Sequence, residues 1–232
     1  MFKNFILIFF LTTIYCQDLT NEVDSVKYVK RDNLDLFIDK NKSNITWLGG
    51  LKYSIKDHFG KIKIKSGRIN ISKDYEISGK IIVDMESISN DDIKNKLNEN
   101  LINHLKSSDF FNVAKYKTAQ IEIISSKIIE KLDKNVFLVQ LEAYLTIKSS
   151  RNRIRFNSTI DLSSPIKSAE GTLTFDRNDF NIEYRSEMHI YNPESFWNKV
   201  ETSKIATMDK VIKDDIKIDF LIKTKSEFIL VE

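Results

Sequence analysis

Cysteine, histidine, glycine and proline are all scarce in this chain of 232 residues, which has one cysteine, three histidines, six glycines and two prolines. The single cysteine, Cys16, cannot form a disulfide within the chain, so the fold must be held together by its core. The histidines, His58, His104 and His189, have neither the spacing of a metal site nor a cysteine partner. We therefore predict no bound metal.

Motifs of the common enzyme classes are also absent from the sequence. There is no Gly-x-Ser-x-Gly nucleophile elbow and no glycine-rich phosphate loop. The 36 basic and 33 acidic side chains give a formal net charge of +3, which is too balanced for a typical nucleic-acid-binding protein. The sequence therefore predicts no catalytic residues, no cofactor and no nucleic-acid partner.

The first sixteen residues differ from the rest of the chain. Lys3 precedes an unbroken apolar run at residues 5–11, which is too short to span a bilayer and is typical of a signal peptide. We predict a signal peptide at residues 1–16 and a periplasmic or secreted bacterial protein. Two fates of Cys16 stay open: removal with the signal peptide, or lipidation as a membrane tether, for which the bulky Tyr15 is an unusual neighbour. Residues 17–33 are charged and aperiodic, which predicts a flexible leader.

Residues 34–232 are predicted to form one all-β domain, because apolar and polar residues alternate along much of this range. Side chains alternate between the two faces of a strand, so each alternating segment buries one face and exposes the other. The clearest such segment is residues 137–147. Others occur at residues 45–48, 60–65, 68–71, 79–85, 119–124, 154–162, 169–175 and 216–222. One-sided strands joined by short turns favour an antiparallel sheet that closes into a barrel.

One segment has the periodicity of a helix instead. Apolar residues recur every four positions between residues 91 and 105: Ile93, Leu97, Leu101 and Leu105. This spacing predicts one apolar helical face, with Ser89 or Asn90 placed to cap its start. Such a helix would close one end of a barrel and leave the other end open. A weaker helical pattern occurs at residues 195–200.

Several segments resemble, in the same order, motifs of the YceI-like family of exported lipocalin-like proteins. The most specific is LINHLKSSDFFNVAKY at residues 101–116. Weaker ones are residues 39–47, HFG at 58–60 with Gly67, GKIIVDMESI at 79–88, LTIK at 145–148, and residues 177–184 and 214–218. The resemblance covers about residues 35–224. The departures are Ala143 and Ser149 where the family has glycine, and Lys117 where it has proline, so they concern turns and bulges.

The resemblance implies an eight-stranded antiparallel lipocalin-like barrel with a capping α-helix and a long apolar tunnel. Members of the family hold polyisoprenoids or other long-chain lipids in the tunnel and often form dimers, which leaves a homodimer open here. We therefore predict an exported carrier or sequestering protein for such a lipid.

The alternation of the strands identifies candidates for the tunnel lining. The predicted lining residues are Ile45, Trp47, Ile62, Ile64, Leu141, Ala143, Leu145, Phe156, Leu173, Phe175, Ile218 and Phe220. Five further residues match family motif positions and are assigned structural roles: His58, His104, Asp109, Phe110 and Phe111. Of these, Phe110 and Phe111 are predicted to pack the helix against the barrel.

Two other functions stay open at this point. Eight strands enclose a volume that side chains just fill or that holds one small ligand, and composition does not distinguish these cases. One alternative is an interaction module with a filled core, tethered through Cys16, that binds another envelope protein. The other is an enzyme that uses His58 or His104 on a lipid-like substrate.

Overall fold

The computed structural model describes residues 33–186 and 210–226. In these ranges it contains ten β-strands, one α-helix and two short 3₁₀ helices, at Met85–Ser87 and Arg177–Phe180. The strands and the helix are β1 (Leu34–Phe37), β2 (Asn44–Gly49), β3 (His58–Lys61), β4 (Lys63–Ile71), β5 (Ile77–Asp84), α1 (Asn95–Lys106), β6 (Thr118–Asp133), β7 (Val136–Ile147), β8 (Ser150–Asp161), β9 (Ser168–Asp176) and β10 (Asp215–Lys223). The predicted signal peptide, residues 17–32 of the predicted leader and the helical pattern at 195–200 lie outside the described residues.

All ten strands belong to one sheet with the order β1-β4-β5-β6-β7-β8-β9-β10-β2-β3. Every pairing between neighbours is antiparallel, so the predicted all-β antiparallel fold is confirmed. The strands number ten rather than the predicted eight because two long strands are interrupted. Residues 38–43 separate β1 from β2, and Ile62 separates β3 from β4.

The sheet curls until its two ends meet. At one end of the strand order β1 pairs with β4, and at the other end β2 pairs with β3. β1 is followed along the chain by β2, and β3 is followed by β4, so the two ends of the sheet are joined through these consecutive strands. The interruptions are themselves hydrogen-bonded: the Asp39 N–H donates to the Lys223 carbonyl at 2.8 Å, and the Ile62 N–H to the Ile45 carbonyl at 3.1 Å. When each interrupted pair is counted as one strand, the barrel has the eight strands that the family resemblance implies.

β7 illustrates how the barrel obtains an apolar interior. Its residues that are predicted to point inward are all buried: Phe137, Val139, Leu141, Ala143, Leu145 and Ile147. The residues between them are half-buried or exposed. The alternation predicted for residues 137–147 is therefore confirmed.

β6 is much longer than the segment predicted at residues 119–124. Its pairing with β7 shifts register between Ile123 and Ser125, and again between Ile128 and Glu130. A bulge adds one residue to one strand and thereby interrupts the strict alternation of faces. For this reason the period-two pattern of the sequence stops at Ile124 although the strand continues.

α1 begins at Asn95, four residues later than predicted, and neither Ser89 nor Asn90 caps it. The N-cap residue is Lys94, which makes no side-chain capping bond. The Asn90 side chain instead accepts from the Ile93 N–H at 2.8 Å and so holds a separate turn before the helix. The prediction that Leu97 shares the buried face was wrong, because it lies in the first turn of α1 and is 69% exposed. No helix within residues 33–186 and 210–226 is long and apolar enough to cross a membrane.

Candidate functional site

A cavity of about 450 Å³ lies inside the barrel. This volume falls in the range of about 300–1,000 Å³ that is common for small-molecule sites. All ten strands contribute residues to its wall, and so do α1 and the segments that follow β5 and β9. Isoleucine, leucine, valine and phenylalanine predominate, so the wall is largely apolar.

Most of the residues predicted to line a tunnel lie on the wall of this cavity. They are Ile45, Trp47, Ile62, Leu141, Leu145, Phe156, Leu173, Phe175, Ile218 and Phe220. They come from β2, β7, β8, β9 and β10 and from the junction between β3 and β4. The structure thus brings together residues that are as far apart in the sequence as Ile45 and Phe220.

Two predicted lining residues, Ala143 and Ile64, do not lie on the cavity wall. Ala143 points inward on β7 but is completely buried, and the longer side chains of Leu141 and Leu145 on either side of it reach the cavity instead. Ile64 is also buried, where it packs in a small cluster with Ile38, Ile81 and Ile222. In both cases alternation gave the correct face of the strand, but the side chain is covered by its neighbours.

Aromatic side chains form part of the apolar wall. The rings of Phe156 and Phe220 on the wall meet edge to face with their centroids 5.7 Å apart. Phe175, also on the wall, makes the same contact at 5.3 Å with Phe180, which is fully buried and does not line the cavity. The one polar atom of the Trp47 side chain, Nε1, donates to the Ser89 carbonyl at 2.8 Å. Its hydrogen-bonding capacity is therefore satisfied by the protein backbone, and the indole contributes apolar surface to the cavity.

Sequence reasoning missed a large part of the wall. The missed apolar residues include Ile81 and Val83 of β5 and all of the following: Ile121, Ile123, Ile147, Ile160, Ile216 and Ile222. These residues lie in segments whose alternation was recognised, so listing every inward position would have found them. Met85 continues the alternation of Ile81 and Val83, whereas Ile88 and Phe111 come from the connection between β5 and β6 outside α1, where no simple periodicity marks them.

α1 lies at the end of the barrel where β5 ends and β6 begins, here called the α1 end. Leu101, His104 and Leu105 of this helix line the cavity. The His104 ring contacts Phe110 and Tyr184 edge-on, with centroids 4.9 and 4.7 Å apart. These contacts fit the structural roles assigned to His104 and Phe110 in joining the helix to the barrel, and Phe111 adds to the cavity wall beside them.

His58 lies at the same end and is held by a carboxylate. Its Nδ1 is 2.9 Å from Oδ2 of Asp92, whose other oxygen accepts from the Phe59 N–H at 3.1 Å. Burial acts to raise the pKa of Asp92, but hydrogen bonds from His58, Asn90 and Phe59 outweigh it and lower the pKa below its usual value. His104 is similarly 3.3 Å from the Asp109 carboxylate. Both histidines thus have defined structural partners.

The charged residues on the cavity wall are all basic: Lys167, Arg177, Arg185 and Lys210. Within residues 33–186 and 210–226, no aspartate or glutamate lines the cavity. No group of three or more metal-ligating side chains occurs in the described part of the chain either. The arrangement suits an apolar molecule with a polar or anionic end.

Comparison with known proteins gives matches in sequence profile and in structure. Residues 37–224 match the profile of the YceI-like domain. The crystal structure of BcnA from Burkholderia cenocepacia is 15% identical and superposes with a TM-score of 0.57, covering 81% of this chain and 99% of that one.

A polyisoprenoid-binding domain from Saccharophagus degradans, implicated in plant cell wall breakdown, is 16% identical. It superposes with a TM-score of 0.53 and covers 82% of this chain and 97% of its own. The chain matches no curated protein at the sequence level. At these identities the two structures establish a shared fold, whereas the profile match spans most of the chain. The protein therefore belongs to the YceI-like family.

Proposed function

We propose that this protein is an exported carrier or sequestering protein that holds the hydrocarbon chain of a polyisoprenoid or another long-chain lipid inside its barrel. The observation that carries the proposal is the apolar cavity of about 450 Å³. The polyisoprenoid-binding domain from Saccharophagus degradans shares the fold, which supports the choice of ligand class. Export rests on the predicted signal peptide at residues 1–16.

Burial of the chain would supply the affinity. Each methylene transferred from water to an apolar site contributes about 0.8 kcal/mol, so one isoprene unit contributes roughly 3–4 kcal/mol before the costs of ordering are subtracted. A few units therefore suffice for tight binding. Selectivity among lipids would depend mainly on the length and width of the cavity.

The alternative functions have less support. An interaction module with a filled core does not need a cavity of this size. An enzyme that uses His58 or His104 has less support because the cavity that both residues line is largely apolar, and family membership favours a binding protein. We therefore propose binding without catalysis.

Ala169→Phe tests the proposal by shortening the cavity. Ala169 lines the cavity next to the β8–β9 connection, at the end opposite α1. A phenyl ring there would occupy space that the end of a bound chain needs. If two methylenes are displaced, the affinity for the longest bound chain falls about tenfold. The measurement is the dissociation constant of each prenyl alcohol of two to five isoprene units. We expect the alcohol that binds most tightly to the variant to have a shorter chain than the one that binds most tightly to the unchanged protein.

Thr174→Phe is the matched control, since Thr174 is an exposed residue of the same strand. This variant should leave the preference for chain length unchanged. An unchanged preference in a folded Ala169→Phe variant would contradict binding inside the barrel.

A further inference from the structure

The cationic residues on the cavity wall are unevenly distributed between its two ends. Arg177, Arg185 and Lys210 lie at the α1 end, in the connection between β9 and β10. Lys167 lies at the opposite end, in the connection between β8 and β9. Its Nζ donates to the Ser164 carbonyl at 2.7 Å. The two ends of the cavity are therefore electrostatically different.

Contacts within the fold place Arg185 and Lys210 near α1. Tyr184, whose ring is 4.7 Å from that of His104, immediately precedes Arg185. The Arg185 carbonyl accepts from the N–H of Ile212 at 3.0 Å, which brings the chain next to Lys210 to the same place. The guanidinium of Arg185 lies 5.2 Å from the centroid of the Tyr184 ring. A cation–π contact of this kind restricts where the charge can lie.

The other groups on the cavity wall at this end that can carry a positive charge have anionic partners. Arg177 is buried and is paired with the Asp214 carboxylate at 3.1 Å. If His58 and His104 are protonated, Asp92 and Asp109 balance their charges. Arg185 and Lys210, in contrast, form no ion pair with another residue of the ranges 33–186 and 210–226, and both are exposed and also line the cavity. They are therefore the charges that a ligand at this end would meet.

We propose that the natural ligand is a long-chain lipid with an anionic head group, a phosphate or a carboxylate, which binds to Arg185 and Lys210 at the α1 end while its chain extends toward Ala169. The proposal rests on the lipid-binding function proposed above and adds the chemistry and the orientation of the ligand. Hydrogen bonds between ionised partners are shorter and stronger than those between neutral groups. A wall without carboxylates among the described residues does not repel an anion.

The test compares three ligands with the same farnesyl chain: farnesol, farnesoic acid and farnesyl phosphate. The full-length mature protein should bind at least one of the two anions about tenfold more tightly than the alcohol, because hydrogen bonds to charged groups are the stronger ones. The anion that binds with the lower dissociation constant identifies the head group as a phosphate or a carboxylate. The preference should weaken as salt is added, since Arg185 and Lys210 are exposed.

The decisive variant is Arg185→Gln combined with Lys210→Gln. In this variant the dissociation constants of farnesol and of the anions should become nearly equal, so the ratio of these constants, rather than the absolute affinity, is the quantity that tests the proposal. Lys115→Gln is the control, because Lys115 is an exposed cation in the β5–β6 connection at the same end but does not line the cavity, so this variant should retain the preference. The proposed head group would be overturned if the unchanged protein bound farnesol and both anions equally well. It would also be overturned if the double variant kept the preference for the anion. Neither result would contradict the carrier function. Binding of none of the three ligands would instead contradict the carrier function itself.

Discussion

Gly60→Ala is expected to destabilise the protein by about 2–4 kcal/mol, because there is no room for a side chain at this position. A Cβ atom on Gly60 would lie 1.9 Å from the Ser89 carbonyl oxygen and 2.8 Å from the Cα of Asn90. These are backbone atoms, so a rotamer change cannot relieve the clash. The free energy of unfolding from urea denaturation, followed by circular dichroism, measures the effect.

The clash would also disturb a connection that helps to form the cavity. The segment at residues 89–91 is held against β3 by hydrogen bonds from the Ser89 N–H to Lys61 and from the Asp91 N–H to Phe59. The same Ser89 carbonyl accepts from the Trp47 indole. Movement of this segment therefore costs several hydrogen bonds at once.

Gly49→Ala is the matched control for Gly60→Ala, since it adds the same methyl group to the adjacent strand. Its Cβ would lie 3.1 Å from Cδ1 of Ile216, which is the end of a flexible side chain. This variant should lose less than about 1 kcal/mol of stability. Equal stabilities of the two variants would show that the close approach of Gly60 to residues 89 and 90 does not restrict the fold.

Arg177→Leu is expected to cost about 3–5 kcal/mol of stability, because a buried charge holds several otherwise unpaired acceptors. Arg177 is only 1% exposed. Its guanidinium donates to the carbonyls of Ile182, Lys213 and Ile212 at 2.6, 3.0 and 3.3 Å. It also pairs with Asp214. A leucine of similar apolar size would leave these groups without a donor.

Arg155→Leu provides the comparison for Arg177→Leu. Arg155 is an exposed residue of β8 that shares the carboxylate of Glu142 with Arg153. An exposed ion pair is worth at most about 1 kcal/mol, so this variant should remain close to the unchanged protein in urea denaturation. A loss below about 1 kcal/mol for Arg177→Leu would mean that the carbonyls find other donors and that Arg177 is not a structural anchor.

Sequence reasoning predicted the strands well where one face of the strand is buried and the other face is exposed to solvent. In β10, Ile216, Ile218 and Phe220 alternate with the polar residues Lys217 and Asp219, and together with Ile222 they line the cavity. Such alternation is visible in the sequence because each strand separates water from an apolar interior. The collinear motifs at residues 101–116 and elsewhere resemble the YceI-like family and so added the number of strands, which alternation alone does not give.

Features that depend on the distance between elements could not be predicted in the same way. Ala143 has the correct alternation, but the longer side chains of Leu141 and Leu145 on either side of it reach the cavity in its place. The bulges of β6 end its period-two pattern at Ile124 although the strand continues, and the interruption at Ile62 is a local change in pairing that the pattern does not show. The cavity itself depends on how far apart the strands lie around the barrel, and this is a property of tilt and stagger rather than of composition.

Native mass spectrometry of the mature chain, purified from a bacterial envelope and followed by organic extraction of the released material, tests the central claim most directly. The proposed function predicts a discrete added mass at about one per barrel, identifiable as a prenyl or fatty chain. A bare polypeptide mass that stays bare after incubation with prenyl and fatty lipids would contradict it and favour an interaction module instead.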